Sequence, residues 1–135
     1  MSSNNPETSL ETHLRRISKV VQNWPGEPLD PWSSLRVLNE SGTKPPLFWC
    51  FNSAGEFPAL ARTMGPDQPV VGMRSLNQIL EREAISPQHS RELGEYYAQK
   101  LFERFGQVSC IIGGNCQAAP ISYAIALWMK SHGVR

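Results

Sequence analysis

The sequence predicts an α/β fold in which a mostly parallel sheet is flanked by helices. Strand-like and helix-like patterns alternate along the chain from Ser34 onward, as they do in α/β proteins. The apolar run at residues 47–51, which follows two prolines, is typical of a strand buried on both faces. The length of 135 residues and the hydrophobic content of 40% suffice for one compact core.

Residues 1–33 are predicted to form a helical extension, followed at residues 34–135 by the main domain. Thr8 and Glu11 have capping-box spacing, and they precede a helix predicted from about Ser9 to Asn23. The apolar side chains of this helix recur at helical intervals: Leu10, Leu14, Ile17, Val21 and Trp24. We expect this apolar face to dock on the body of the domain or on a neighbouring protein.

The remaining elements follow from local patterns and from the residues that start and stop them. Strands are predicted at residues 35–39, 47–51, 69–73 and 108–112. Helices are predicted at residues 57–64, 87–105 and 119–131. Pro87 starts the longest helix and Gly106 ends it, while Gly133 closes the last one. Residues 74–86 lack either pattern and are expected to form a loop.

Composition argues against several classes of function. Lys and Arg total 13 against 12 Asp and Glu, and they are scattered, which argues against nucleic-acid binding. No run approaches the roughly 20 apolar residues of a membrane span, and residues 1–8 do not resemble a signal peptide, so a cytoplasmic protein is expected. Cys50 and Cys110 lie in apolar strands and are expected in the core, and no metal site is predicted.

The turn after the last predicted strand has the layout of a nucleophile elbow, Gly114-x-Cys116-x-Ala118. The apex of such a turn is strained, and bulk two positions away would collide with neighbouring elements, so Gly114 and Ala118 fit. The N–H groups of Gln117 and Ala118 are expected to be free to face an oxyanion, and the helix dipole favours a thiolate at Cys116. The alternative is a buried structural cysteine in a tight turn.

Three tracts together resemble the N-terminal half of a type I thioesterase domain, an α/β hydrolase that releases products from non-ribosomal peptide and polyketide synthases. Residues 46–55, PLFWCFNSAG, resemble the family's strand and oxyanion loop, written L-F-x-x-H-P-A-G-G. Residues 60–72, LARTMGPDQPVVG, resemble its next helix, turn and strand. Residues 113–118, GGNCQA, stand in the place of its G-G-x-S-x-G. The resemblance extends from about Ser33 to Arg135.

The resemblance implies acyl transfer from acyl or peptidyl chains carried as thioesters on a carrier protein. Cys116 would be the nucleophile, and the backbone N–H groups of Gln117 and Ala54 would form the oxyanion hole. Asn52 and Ser53 stand where the family has His and Pro, but a backbone donor at Ala54 survives such changes. Cysteine in place of serine favours transfer or cyclisation over hydrolysis. No cofactor is implied beyond the phosphopantetheine arm of the carrier.

The family's acid and histidine follow the nucleophile, and we expect both of them beyond Arg135. His132 follows Cys116 by 16 residues at the far end of a helix, roughly 24 Å away by the helical rise, so it is not the base. His13 and His89 are expected to be solvated surface residues. The chain is therefore interpreted as the N-terminal half of an incomplete domain that is nearly inactive by itself.

An incomplete sheet would have an open edge at the elbow strand. We expect Val108, Ile111 and Ile112 to lie on this edge, next to an uncovered helix face. That face would carry Ile121, Ile125 and Trp128. The missing C-terminal half, a partner chain or a homodimer would cover it. Two other functions remain open: a non-catalytic remnant that serves as a docking module, and a redox-sensing cysteine protein.

Overall fold

The computed structural model describes residues 9–134, which form a five-stranded sheet and four α-helices. The strands are β1 (Glu27–Pro28), β2 (Arg36–Leu38), β3 (Leu47–Phe51), β4 (Val70–Arg74) and β5 (Ile111–Gly114). The helices are α1 (Leu10–Val20), α2 (Glu56–Met64), α3 (Pro87–Phe105) and α4 (Ala119–Ser131). Short 3₁₀ turns occur at Arg82–Ala84 and Cys116–Ala118.

The sheet is mixed, with the strand order β1-β2-β4-β3-β5. Strand β3 pairs in parallel with β4 and with β5, whereas β2 pairs antiparallel with β1 and β4. The α/β class is thus confirmed, and the sheet is mixed: β1, β3, β4 and β5 run in one direction and β2 runs against them. Strand β2 runs against β3 because the connection between them, at residues 39–46, contains no helix and is too short for a parallel crossover of about a dozen residues.

Strand β5 begins and ends later than the apolar run at residues 108–112 predicts. Its register is set by β3, because Leu47 is opposite Ile111 and Cys50 is opposite Gly114. Val108 therefore precedes the sheet and is 44% exposed. The strand continues through two glycines, which have low intrinsic strand propensity, because pairing with β3 outweighs that propensity.

The first helix packs on the body of the domain, as one of the two expectations for it predicts. Leu14, Ile17, Val21 and Trp24 are buried within the chain itself. The N-cap of α1 is Ser9, whose Oγ accepts a hydrogen bond from the N–H of Thr12 at 3.2 Å. The proposed cap at Thr8 lies outside the described residues.

Each face of the sheet is covered by different helices. On one face, Phe48 packs against Phe105 of α3, with 5.2 Å between ring centroids. On the other face, Phe57 of α2 packs against Phe51 and lies against Gly72, where a Cβ atom would come within 2.6 Å of the ring. The core is therefore formed on both sides of β3 and β4.

Strand β5 forms one edge of the sheet, because within residues 9–134 it pairs with β3 alone. Ile111 is 56% exposed, and Ile112 is half-buried. The expectation of an uncovered helix face formed by Ile121, Ile125 and Trp128 is wrong, since both isoleucines are buried against the sheet and α3. Trp128 is half-buried and packs on Phe102 of α3. Close packing of α3 on α4 explains this: a Cβ atom on Gly94 would lie 2.6 Å from the Cβ atom of Ala124. The large exposed apolar residues of α4 are Tyr123 and Leu127.

No helix among residues 9–134 is both long and apolar enough to cross a membrane.

Candidate active site at the turn after β5

The carboxyl ends of β3 and β5 meet where the path of the chain reverses across the sheet. From β3 the chain passes through α2 to β4, which is the neighbour of β3 on one side in the strand order. From β4 it passes through α3 to β5, which is the neighbour of β3 on the other side. Open α/β sheets bind ligands in the crevice at such a switch point. The loop at residues 52–55 and the turn at residues 115–118 therefore border a position suited to ligand binding.

Cys116 has a strained backbone at the tip of this turn. Its φ angle is +52°, in the left-handed region, which costs a non-glycine residue about 1–3 kcal/mol. The residue is exposed to solvent, so the alternative of a buried structural cysteine is wrong. The turn has the strain and exposure that the elbow pattern predicts at its apex.

The two small residues flanking the apex are packed against neighbouring elements. A Cβ atom on Gly114 would lie 2.5 Å from the Oγ of Ser122 and 3.1 Å from the Cβ of Ala118. The Ser122 hydroxyl donates to the Gly113 carbonyl at 2.8 Å, so it cannot move aside without losing that hydrogen bond. Ala118 is itself fully buried. Close packing is therefore the physical reason for the small residues at both positions.

One of the backbone donors expected at this turn is already in use. The N–H of Ala118 donates to the carbonyl of Asn115 at 2.9 Å, so the expectation that it is free is wrong. A 3₁₀ turn precedes α4 and uses this group, which an immediate α-helical start would have left unpaired. Within residues 9–134, the N–H groups of Gln117 and Ala54 donate to no acceptor and remain available to a ligand.

Asn52 connects the loop after β3 to the elbow, and sequence reasoning did not identify this role. Its Nδ2 donates to the carbonyl oxygen of Asn115 at 2.7 Å and lies 3.1 Å from the Oδ1 of the same residue. The sequence contains one relevant signal, since Asn52 stands where the resembled family has a histidine. The partner could not be inferred, because it lies 63 residues further along the chain.

The N-terminal segment also contacts the candidate site. The indole N–H of Trp24 donates to the carbonyl of Ala54 at 2.6 Å, and its ring packs at 4.9 Å from that of Phe57. The carbonyl and the free N–H of Ala54 belong to the same loop. The segment at residues 1–33 is therefore not a detached appendage, since its described part holds the loop after β3 in place.

The three histidines occupy other parts of the fold. His13 is buried, contrary to expectation, with its ring 4.9 Å from that of His89. His89 is half-buried and caps α3, where its Nδ1 accepts from the N–H of Ser86 at 3.2 Å. His132 stacks on Trp128 beyond the C-terminal end of α4, about 20 Å of helix away from the elbow. The assignment of a base beyond Arg135 stays a prediction.

The other two thiols differ from Cys116 in their surroundings. Cys50 is fully buried, as expected, and burial raises its pKa far above the ordinary thiol value. Cys110 is half-buried, less than expected, and desolvation raises its pKa as well. Among residues 9–134, no group of three or more His, Cys, Asp or Glu side chains is placed to hold a metal ion.

Comparisons of the chain with protein-family models, with curated proteins and with solved structures found no match. The relation to type I thioesterases stays a prediction that rests on the three sequence tracts.

Proposed function

We propose that the chain is the N-terminal part of a thioesterase-like α/β hydrolase that transfers acyl or peptidyl chains in polyketide or non-ribosomal peptide biosynthesis. A single observation carries this proposal: Cys116 is an exposed residue with φ at +52° between a strand and a helix. A glycine at this position would adopt the same φ angle without the strain. A nucleophile kept in a costly conformation supports a chemical role.

In the proposed step, the Cys116 thiolate attacks the carbonyl carbon of an acyl chain bound to a carrier-protein thiol. The N–H groups of Gln117 and Ala54 stabilise the resulting oxyanion. The bond between that carbon and the carrier sulfur then breaks, and the departing thiolate takes up a proton in place of the one that Cys116 released. One thioester replaces another, so the step is nearly thermoneutral, and an amine or hydroxyl acceptor can then take the acyl chain.

The general base and the acid are assigned to sequence that follows Arg135. General acid–base catalysis is typically worth about 10²–10⁴-fold, so the chain by itself is expected to load slowly. Oxyanion stabilisation does not depend on that base. It is therefore measurable on this chain at alkaline pH, where hydroxide in solution can act as the base.

The test compares two reactions at each thiol of the folded chain. Alkylation by iodoacetamide depends on access and ionisation, whereas exchange with octanoyl-N-acetylcysteamine also forms an oxyanion. The exchange-to-alkylation ratio, measured by peptide mass spectrometry at about pH 8.5, isolates the oxyanion hole. We expect this ratio to be at least about tenfold higher at Cys116 than at Cys110. Equal ratios, or octanoylation undiminished in Cys116→Ala, would contradict the proposal.

A non-catalytic docking module is the second candidate, and the open edge of β5 favours it. Ile111 is exposed on this edge, and its chain neighbours Cys110 and Ile112 line a cleft of about 440 Å³. Its lining is Cys110, Ile112, Ala126, Met129, Lys130 and Val134. If the chain is a module that pairs along this edge, it should associate in a concentration-dependent way, and Ile111→Lys should abolish that association. The exchange-to-alkylation ratios at Cys116 and Cys110 should then be equal.

A further inference from the structure

Side-chain hydrogen bonds join the carboxyl ends of the three parallel strands. At the end of β4, the guanidinium of buried Arg74 donates to the carbonyl of Asn77. The Asn77 Nδ2 donates to the carbonyl of Asn52, which follows β3, at 3.1 Å. Asn52 in turn donates through Nδ2 to the carbonyl of Asn115, which follows β5, at 2.7 Å. Asn52 is the central member of this network.

The orientation of the Asn52 amide follows from its neighbours. The Oγ of Ser75 accepts from the N–H of Asn77 at 3.2 Å, which leaves the hydroxyl proton free to donate. It donates to the Oδ1 of Asn52 at 2.7 Å. An amide held with Oδ1 toward the hydroxyl has Nδ2 facing the elbow, so it is a donor that matches the Asn115 carbonyl. A carboxylate of the same shape cannot make this contact.

The accepting carbonyl is the one that precedes the strained residue. The Asn115 oxygen receives hydrogen bonds from Asn52 and from the N–H of Ala118. Both bonds hold the peptide group between Asn115 and Cys116, whose plane helps to set φ at Cys116. On the other side, the hydrogen bond from Asn77 fixes the peptide that begins the loop containing Ala54.

We propose that Asn52 is a positioning residue that sets the separation between Cys116 and the Ala54 N–H. This inference rests on the proposed function, because it gives Asn52 a role in assembling the two halves of the oxyanion hole. Displacement of a reacting group by about 1 Å costs about 10²-fold in rate. Loss of the Asn52 donor therefore slows thioester exchange at Cys116 much more than it slows alkylation, which needs no oxyanion donor.

The experiment measures the exchange-to-alkylation ratio at Cys116 in the full chain and in three variants. Asn52→Ala removes both hydrogen-bonding groups, and Asn52→Asp keeps the shape but removes the donor. Ser53→Ala is the matched control in the same loop, since among residues 9–134 the Ser53 hydroxyl hydrogen-bonds to Glu56 alone, at 3.3 Å. Thermal unfolding of each variant is recorded to establish that it is folded.

We expect the ratio to fall about tenfold or more in both Asn52 variants and to stay at the wild-type value in Ser53→Ala. A high wild-type ratio that persists in folded Asn52→Asp overturns the positioning role alone. A wild-type ratio no higher than that of Cys110 overturns the proposed function and the positioning role together. Near-isosteric Asn52→Asp decides the question if Asn52→Ala does not fold.

Discussion

Strands β4 and β5 both pair in parallel with β3, yet their surroundings differ. All five residues of β4 are buried, whereas β5 has exposed Ile111 followed by three half-buried residues. Strand β4 pairs with β2 on its other side, and β5 has no second partner among residues 9–134. The difference indicates that packing energy is concentrated on the β4 side, while the strained turn lies on the weakly covered β5 side. Local contacts must therefore hold that turn.

The largest expected contrast is between a core residue of the β4 side and an edge residue of β5. Phe57→Ala removes a fully buried ring that packs on Trp24 and Phe51, and should cost about 3–5 kcal/mol of unfolding free energy. Ile111→Ala removes a side chain that is mostly exposed and should cost less than about 1 kcal/mol. Urea unfolding measures both variants. Similar costs would contradict the unequal distribution of packing energy.

The next largest effect is expected from a substitution that disturbs the close packing beneath the elbow. Gly114→Ala introduces a Cβ atom that would lie 2.5 Å from the Oγ of Ser122, so it should cost about 1–3 kcal/mol. It should also lower the exchange-to-alkylation ratio at Cys116. Gly55→Ala is the matched control, since its Cβ would meet nothing within 4 Å. A Gly114→Ala protein as stable as the Gly55→Ala protein would refute the steric account.

A smaller effect is expected where the N-terminal segment holds the loop after β3. Trp24→Phe keeps a ring in the core but loses the N–H that donates to Ala54, at a cost of about 1 kcal/mol. The ratio at Cys116 should fall, because the loop also carries the Ala54 N–H. Trp32→Phe is the control, since Trp32 instead lies beneath the guanidinium of Arg15. An equal exchange-to-alkylation ratio at Cys116 in the two variants would show that the N-terminal segment does not influence the site.

The smallest effect concerns the turns that precede β3 and β4. Hydrogen bonds from the N–H and Oγ1 of Thr43, at 2.8 and 2.9 Å, lower the pKa of Asp67. Because the folded pKa lies below the unfolded value of about 3.9, ionised Asp67 stabilises the fold above that pH. This contribution is lost as the pH falls through the folded pKa.

Thr43→Val removes the hydroxyl donor and should slightly lower the thermal midpoint at neutral pH. The difference from wild type should vanish in acid, where Asp67 is protonated in both proteins. A difference that is constant from neutral pH to about pH 2 would assign the effect to packing instead of charge.

The sequence predicts best those elements whose ends are marked by specific residues close by in the sequence. The bounds of β3, α3 and α4 agree with prediction, because Pro87, Gly106 and Gly133 mark helix ends and the run at residues 47–51 is wholly apolar. The position of Cys116 in a strained turn was predictable from the spacing of small residues around it. These features are all encoded within a few residues of where they occur.

Features that depend on distant contacts were not predictable. The start of β5 is set by pairing with β3, and not by its own apolar run. The burial of His13 depends on α3, which packs against α1 and brings His89 into contact with it. The amide contact between Asn52 and Asn115 requires both strands to be in place, and an isolated asparagine in a loop carries no such information.

The folded elbow is proposed to stabilise an oxyanion next to Cys116. The most direct measurement is the exchange-to-alkylation ratio at Cys116 in the folded chain and in the same chain unfolded in urea. We expect a ratio at least about tenfold higher in the folded chain, because the proposed oxyanion hole of the Gln117 and Ala54 N–H groups can form only when the chain is folded. An equal ratio in both states would contradict it.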